Sequence, residues 1–431
     1  MKDKTAFSDR PFHYPRNKST LHCENVSLVS IAKKFGTPLY VYSAGQILDR
    51  YRLFSRAFGH RDHLICYSVK ANSNLSILKL LSRHGSGFDI VSGGELLRIL
   101  EVNKKAASRV VFSGVGKTVE EIDLALAADI LIFNAESETE VALLAERARK
   151  LHTRARVALR VNPDVFAETH PYISTGLREH KFGIDIKAAR RVYREIKRSH
   201  YLDPVGISVH IGSQIQTAEP FGAALAGVAE LIRELEGDKI RIEFVDAGGG
   251  LGIDYHGGGE SPAAKAEQYA AAVESALQGL EVRLLVEPGR FLVAQAGALL
   301  ARVLYVKRNG AKTFVITDAG MNDLIRPALY QAWHEILPVI RDPEAKSSVV
   351  DLVGPVCESG DFFARDRTMP KVKEGDLVAI LDAGAYGMSL SSNYNSRPRP
   401  AEVMVKGKLA WLIRSRETIR DLMRQEIRHL Y

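Results

Sequence analysis

Between residues 64 and 287, short runs of β-branched and aliphatic residues recur eight times, separated by longer amphipathic stretches. The candidate strands are 64–70, 87–92, 109–113, 130–134, 157–161, 205–211, 242–246 and 283–287. Segments 75–81, 120–126, 138–150 and 223–235 repeat apolar residues at three- and four-residue steps, the signature of helices with one buried face. Eight strands alternating with helices is the requirement of an α/β fold of the (β/α)8, TIM-like barrel type. An open doubly wound sheet would carry a glycine fingerprint after its first strand, and none is present.

After residue 296 the pattern changes. Runs at 303–306, 313–317, 349–353, 377–381 and 401–405 read as strands separated by turns, without regular helices between them. A chain of 431 residues is long for one domain, so a second, β-rich domain (sandwich- or barrel-like) follows the barrel. The expected division is 1–38 as a segment packing with the β domain, 39–296 as the barrel, and 297–431 as the β domain ending in a helix. Residues 37–42 are a further candidate strand for that β domain.

The first twenty residues have no apolar core of a secretory signal, and the apolar stretch 291–306 is interrupted by Gln295 and Arg302. Three distant cysteines, Cys23, Cys66 and Cys357, read as reduced thiols in a cytoplasmic protein, with no metal-ligand spacing. The net charge of +8 invites a nucleic-acid reading, but no aromatic-interleaved basic patch or known module supports it. The densest basic run, 187–200, lies on an expected helix and reads as a solvated face; attraction of an anionic cofactor and carboxylate substrates is a smaller effect.

Polar residues of special chemistry fall at the strand ends. Lys70 closes the first strand, and Asp89 and Ser92 the second. Arg160 and Asn162 end the fifth, and His210 and Ser213 follow the sixth. Gly248, Gly249 and Gly250 follow the seventh, and Glu287, Pro288, Gly289 and Arg290 the eighth. This is the face on which barrels keep their chemistry. A lone strand-end lysine usually points to water; one partly desolvated at a barrel mouth can lose its proton and attack an aldehyde. A glycine cluster alone reads as a flexible turn. Glycines after strands seven and eight, however, let backbone N–H groups approach a phosphate, and Arg290 adds a cation. Lysine and phosphate cup together suggest pyridoxal 5'-phosphate. Glu287 could then pair with the pyridine nitrogen and His210 stack on the ring; alone, His210 would read as a satisfied core histidine.

The sequence resembles the diaminopimelate decarboxylase family, within the fold-type III, alanine-racemase-like pyridoxal phosphate enzymes. The resemblance runs from Asn25-Val26-Ser27-Leu28 to the C-terminal helix. It includes the blocks 67–72, Ser174-Thr175-Gly176-Leu177 with Lys181-Phe182-Gly183, 210–214, 287–290, 357–361, 384–387 and 394–398. It implies that Lys70 forms the internal aldimine, that Gly249, Ser213 and the 287–290 loop hold the cofactor, and that Asp89 and Arg160 surround it. Tyr386 would close over the phosphate. Cys357, as proton donor, and Glu358 would reach in from the second subunit of a homodimer; an ordinary thiol is largely protonated at neutral pH.

The resemblance further implies that Arg290, Arg326 and Tyr330 take the distal carboxylate of meso-2,6-diaminopimelate, while Glu358 takes its distal ammonium. An arginine binds carboxylate through paired, charge-assisted hydrogen bonds. A decarboxylase of ornithine, lysine or arginine is the rival on the same fold, and a non-catalytic cofactor carrier the rival of another class. The expected protein is thus a homodimeric enzyme with no nucleic-acid or membrane partner.

Overall fold

The computed structural model describes residues 9–163, 165 and 181–427. Eight strands close a parallel barrel: β1 (His63–Ser68), β2 (Gly87–Ile90), β3 (Val110–Phe112), β4 (Ile132–Ala135), β5 (Ala155–Asn162), β6 (Leu202–Ser208), β7 (Phe244–Asp246) and β8 (Arg283–Val286). Each pairs in parallel with the next, and β8 pairs with β1. All eight fall on expected runs. Lys70 itself lies just past β1, in a 3-10 turn over Val69–Ala71.

Most of the intervening helices start where side chains cap them; Glu219–Gly237 has no such cap. Asn74 accepts from the Ser76 N–H before Leu75–Ser82, and Ser137 from the Glu140 N–H before Glu138–Lys150. Thr118 and Glu121 form a reciprocal box before Val119–Ala127. The basic run begins as the helix Ile186–Arg198. Its Arg190 and Arg194 pair with Asp238, and Arg191 with Glu138 and Glu195, as a solvated face should.

Strand pleating positions the site. Leu64, Cys66, Val111, Ile132, Ala158, Phe244 and Leu285 share one apolar cluster. Side chains on a strand return to the same face every second residue. Two residues beyond those apolar positions lie Ser68, Ser113, Asn134, Arg160, Asp246 and Glu287, all buried. The barrel interior therefore changes from apolar to polar within one pleat as the strands reach their carboxyl ends.

Two compact units divide the chain. One takes Arg50–Ile253 and Glu260–Phe291. Of the described residues, those up to Asp49, Asp254–Gly259 and those from Leu292 onward form the other. The barrel limits expected at 39 and 296 thus move inward. Leu39–Ser43, buried at every residue, is the cause: it pairs antiparallel with Gly297–Asn309 and parallel with Ala401–Lys406. Around these strands the β unit adds Lys312–Thr317, Ser347–Val353, Phe362–Pro370 and Leu409–Arg414 along one path. Leu377–Ile380 joins Gly297–Asn309 to Ile336–Pro338. Its core includes Leu28, Leu39, Val41, Leu300, Leu381 and Val403.

Candidate active site

In the barrel unit the Lys70 Nζ donates to Asp89 Oδ2 at 2.7 Å. The lysine side chain is 38% exposed and the aspartate fully buried. The Ser68 hydroxyl lies 2.8 Å from the same Oδ2 and 2.9 Å from the Glu287 carbonyl oxygen. Asp89 Oδ1 is buried with no hydrogen-bond partner among the described residues. Lys70 is therefore neither buried core nor a free surface cation: one carboxylate holds it at the mouth.

Glu287 and Asp246 form a buried carboxyl pair joined by a side-chain hydrogen bond. Asn134 Nδ2 donates to Asp246 Oδ2 at 2.6 Å, the Ser208 hydroxyl lies 3.1 Å from it, and the Gly248 N–H donates to Oδ1 at 2.9 Å. Ser113 reaches Glu287 Oε1 at 3.4 Å. Burial, then the neighbouring Asp246 and Asp89 charges, push Glu287 well above the usual carboxylic range; burial also raises Asp246. Burial thus favours a proton kept within the pair.

The loop after β7 is shaped by glycine. Gly248 has a φ of 65° and its carbonyl accepts from the Glu287 N–H at 2.8 Å. A Cβ on Gly249 would overlap the Glu287 carbonyl oxygen. The Gly249 N–H donates to His210 Nδ1 at 3.1 Å, so the neutral imidazole carries its proton on Nε2. Burial, with the Arg160 and Lys70 charges, keeps His210 well below the usual histidine range, hence neutral. His210 is thus tied to the glycine loop and is no isolated core residue. Arg290 Nη2 donates to Ser213 Oγ at 3.1 Å, linking the 287–290 loop to the end of β6. Gly289 packs against Ser68 and Ala71. Arg160 bonds Glu136 at 3.0 Å and the His210 carbonyl at 3.4 Å, its guanidinium over the Phe182 ring.

Asp246, Asn134, Ser113, Glu136 and Ser68 were not singled out from the sequence. Each lies within one residue of the end of a barrel strand, so strands three and four, for which no site residue was named, complete the ring. Ser92, by contrast, caps the helix Gly93–Val102. The block Ser174-Thr175-Gly176-Leu177 lies outside the described residues.

The β unit holds the remaining named residues. Arg326 is buried, not a surface arginine, and opens a five-residue helix that also carries the half-buried Tyr330. Cys357 is exposed. Its N–H donates to Asn395 Oδ1 at 3.1 Å, and the Tyr394 hydroxyl donates to Glu358. Tyr386 is half-buried at a φ of 56°. Among the described residues no helix is long and apolar enough to cross a membrane.

Residues 44–294 match the pyridoxal-binding domain model of the pyridoxal-dependent decarboxylases. The diaminopimelate decarboxylase of Pseudomonas aeruginosa is 49% identical, over 93% of this chain and 95% of that protein. The structure of Helicobacter pylori diaminopimelate decarboxylase complexed with L-lysine is 44% identical, with a TM-score of 0.88, over 93% of this chain and 99% of that one. The M. jannaschii diaminopimelate decarboxylase in co-complex with L-lysine is 39% identical, with a TM-score of 0.91, over 97% and 98%.

Proposed function

The chain belongs to the diaminopimelate decarboxylase family of pyridoxal-dependent decarboxylases, and from that premise we propose that it decarboxylates meso-2,6-diaminopimelate at its D-centre, giving L-lysine and carbon dioxide as the last step of lysine biosynthesis. Pyridoxal 5'-phosphate is the cofactor. The observation that carries the reading is the polar ring itself: one lysine amine held by a buried aspartate, opposite a glycine loop and an arginine. The ring fits this group. Among the described residues Asp89 Oδ1 is a buried oxygen without a partner, and a Cβ at Gly249 would strike the Glu287 carbonyl, so the loop presents bare backbone.

When bound, the cofactor supplies an aldehyde for amine attachment and a ring that accepts the electron pair left by the departing carboxylate. Lys70 Nζ is the attachment point, with Asp89 accepting its hydrogen bond. The 248–250 loop, whose Gly248 and Gly249 N–H groups are committed to Asp246 and His210, would border the phosphate by close backbone approach, and Ser213, the Pro288-Gly289 turn, Arg290 and Tyr386 would bind it. Glu287 would pair with the pyridine nitrogen and keep it protonated, and His210 would present a neutral face to the ring. Arg160 steadies the His210 carbonyl. Cys357 Sγ would supply the proton that replaces the lost carboxylate. Glu358 takes the distal ammonium, and Arg290, Arg326 and Tyr330 take the distal carboxylate. Cys357 and Glu358 serve the site of the second copy in a cytoplasmic homodimer; the exposure of Cys357 supports that assignment.

Carbon dioxide release from diaminopimelate, compared with ornithine, lysine and arginine, tests the substrate. Diaminopimelate is expected to dominate. Equal or faster turnover of ornithine would remove the substrate assignment while leaving the cofactor chemistry intact.

A further inference from the structure

Arg326 is 5% exposed, and its setting in the β unit restricts how its guanidinium can lie. Gln331, at a φ of 52°, ends the short helix Arg326–Tyr330, and the chain turns so that His334 comes beside Arg326. Arg326 Nη1 lies 2.8 Å from His334 Nε2, and His334 Nδ1 lies 2.7 Å from the Leu381 carbonyl oxygen. A guanidinium can only donate and a carbonyl can only accept, so these two contacts fix the imidazole as the neutral Nδ1–H tautomer. His334 is fully buried, and Arg367 donates to its backbone carbonyl at 3.0 Å. Tyr255 completes the setting: its ring lies 4.6 Å from the Arg326 guanidinium carbon and edge-on to His334 at 5.6 Å.

We infer that His334 and Tyr255 are positioning residues that orient Arg326 to read the distal carboxylate of the substrate. The inference rests on the reading of Arg326 given above and assigns part of the substrate specificity to two residues that need not touch substrate. The chemistry of the acceptor matters. A carboxylate at position 334 would orient Arg326 equally well but would cancel the charge that a substrate carboxylate requires. A neutral imidazole directs the guanidinium without neutralising it, and the Tyr255 face adds attraction to the cation without adding charge.

L-Lysine keeps the distal carboxylate and 1,5-diaminopentane lacks it, so titrating the cofactor absorbance of the holoenzyme with both separates the roles. His334→Phe, which keeps a ring and removes the acceptor, is expected to weaken lysine about ten-fold, the scale of one charged hydrogen bond, and to leave diaminopentane unchanged. Arg326→Met is expected to do the same. His334→Gln, which retains an acceptor, is expected to recover most of the lysine affinity. Tyr255→Leu is expected to weaken lysine a few-fold. Should Arg326→Met weaken lysine while His334→Phe and Tyr255→Leu do not, the positioning role is overturned and the reading of Arg326 stands. Should Arg326→Met leave lysine unchanged, that reading fails and takes the positioning role with it. Equal weakening of both ligands by His334→Phe would mark a merely structural residue and reject the inference. If His334→Phe does not fold, Tyr255→Leu decides, and unchanged discrimination between the two ligands rejects it.

Discussion

Glu95, three residues into the helix that follows β2, shows how the mouth of the barrel sets protonation. Burial pushes its carboxyl up to about 7, against the lowering effect of the Val91 N–H, which donates at 2.8 Å. The native state therefore keeps a proton that the unfolded chain releases near the ordinary glutamate value. Between those two values unfolding releases a proton, so the contribution to stability falls as pH rises. Thermal melts of apoprotein from pH 5 to 8 should show wild type losing ground against Glu95→Gln; parallel curves would contradict the burial effect. Cys357 allows a kinetic test. Cys357→Ala is expected to retain the cofactor absorbance and to lose turnover by about 10²–10⁴-fold, the range for a positioned proton donor. Unchanged turnover would remove the thiol from the reaction.

At the scale of elements, the loop after β7 makes the sharpest demand on sequence. Gly249→Ala drives a methyl group into the Glu287 carbonyl and is expected to cost about 1–3 kcal/mol in stability, with weakened cofactor binding. Wild-type stability and affinity in that variant would show that the loop tolerates the approach. The barrel strands were legible because each pairs a β-branched run with a following helical period, and neither signal depends on distant neighbours. The buried site was half legible for a related reason. Lysine, histidine, arginine and clustered glycine stand out in a strand end, whereas Ser113 and Asn134 look like ordinary turn residues until pleating shows them on the same face as Val111 and Ile132. Asp246 was within reach, since it ends β7 two residues before the glycine cluster. The β unit was less legible. Phe362–Pro370 alternates irregularly, and Leu409–Arg414 leaves Leu409, Trp411 and Leu412 exposed, so neither carries a clean buried face. Buried Arg326 lies against His334 and Tyr255, which no local pattern connects to it.

At the scale of the whole molecule, the proposed function places Lys70 and Cys357 of one site on different chains. Mixing Lys70→Ala with Cys357→Ala subunits should then restore activity, because a mixed dimer rebuilds one intact site from its two unaltered residues. Random exchange is expected to recover about a quarter of wild-type turnover, since half of the dimers are mixed and half of their sites are whole. No recovery after demonstrated subunit exchange would assign both residues to the same chain. The positive charge of the whole chain has a milder consequence: binding of the anionic cofactor to apoprotein is expected to weaken with salt, as exposed charges are screened over roughly 8–10 Å at physiological ionic strength. Every part of the proposed chemistry depends on one covalent bond between the cofactor and Lys70. Borohydride reduction of the holoprotein followed by peptide mass mapping tests that bond directly. The expected result is a reduced pyridoxyl phosphate adduct on the Lys70 peptide; an unmodified Lys70 in reconstituted protein, or the adduct on a different lysine, would contradict it.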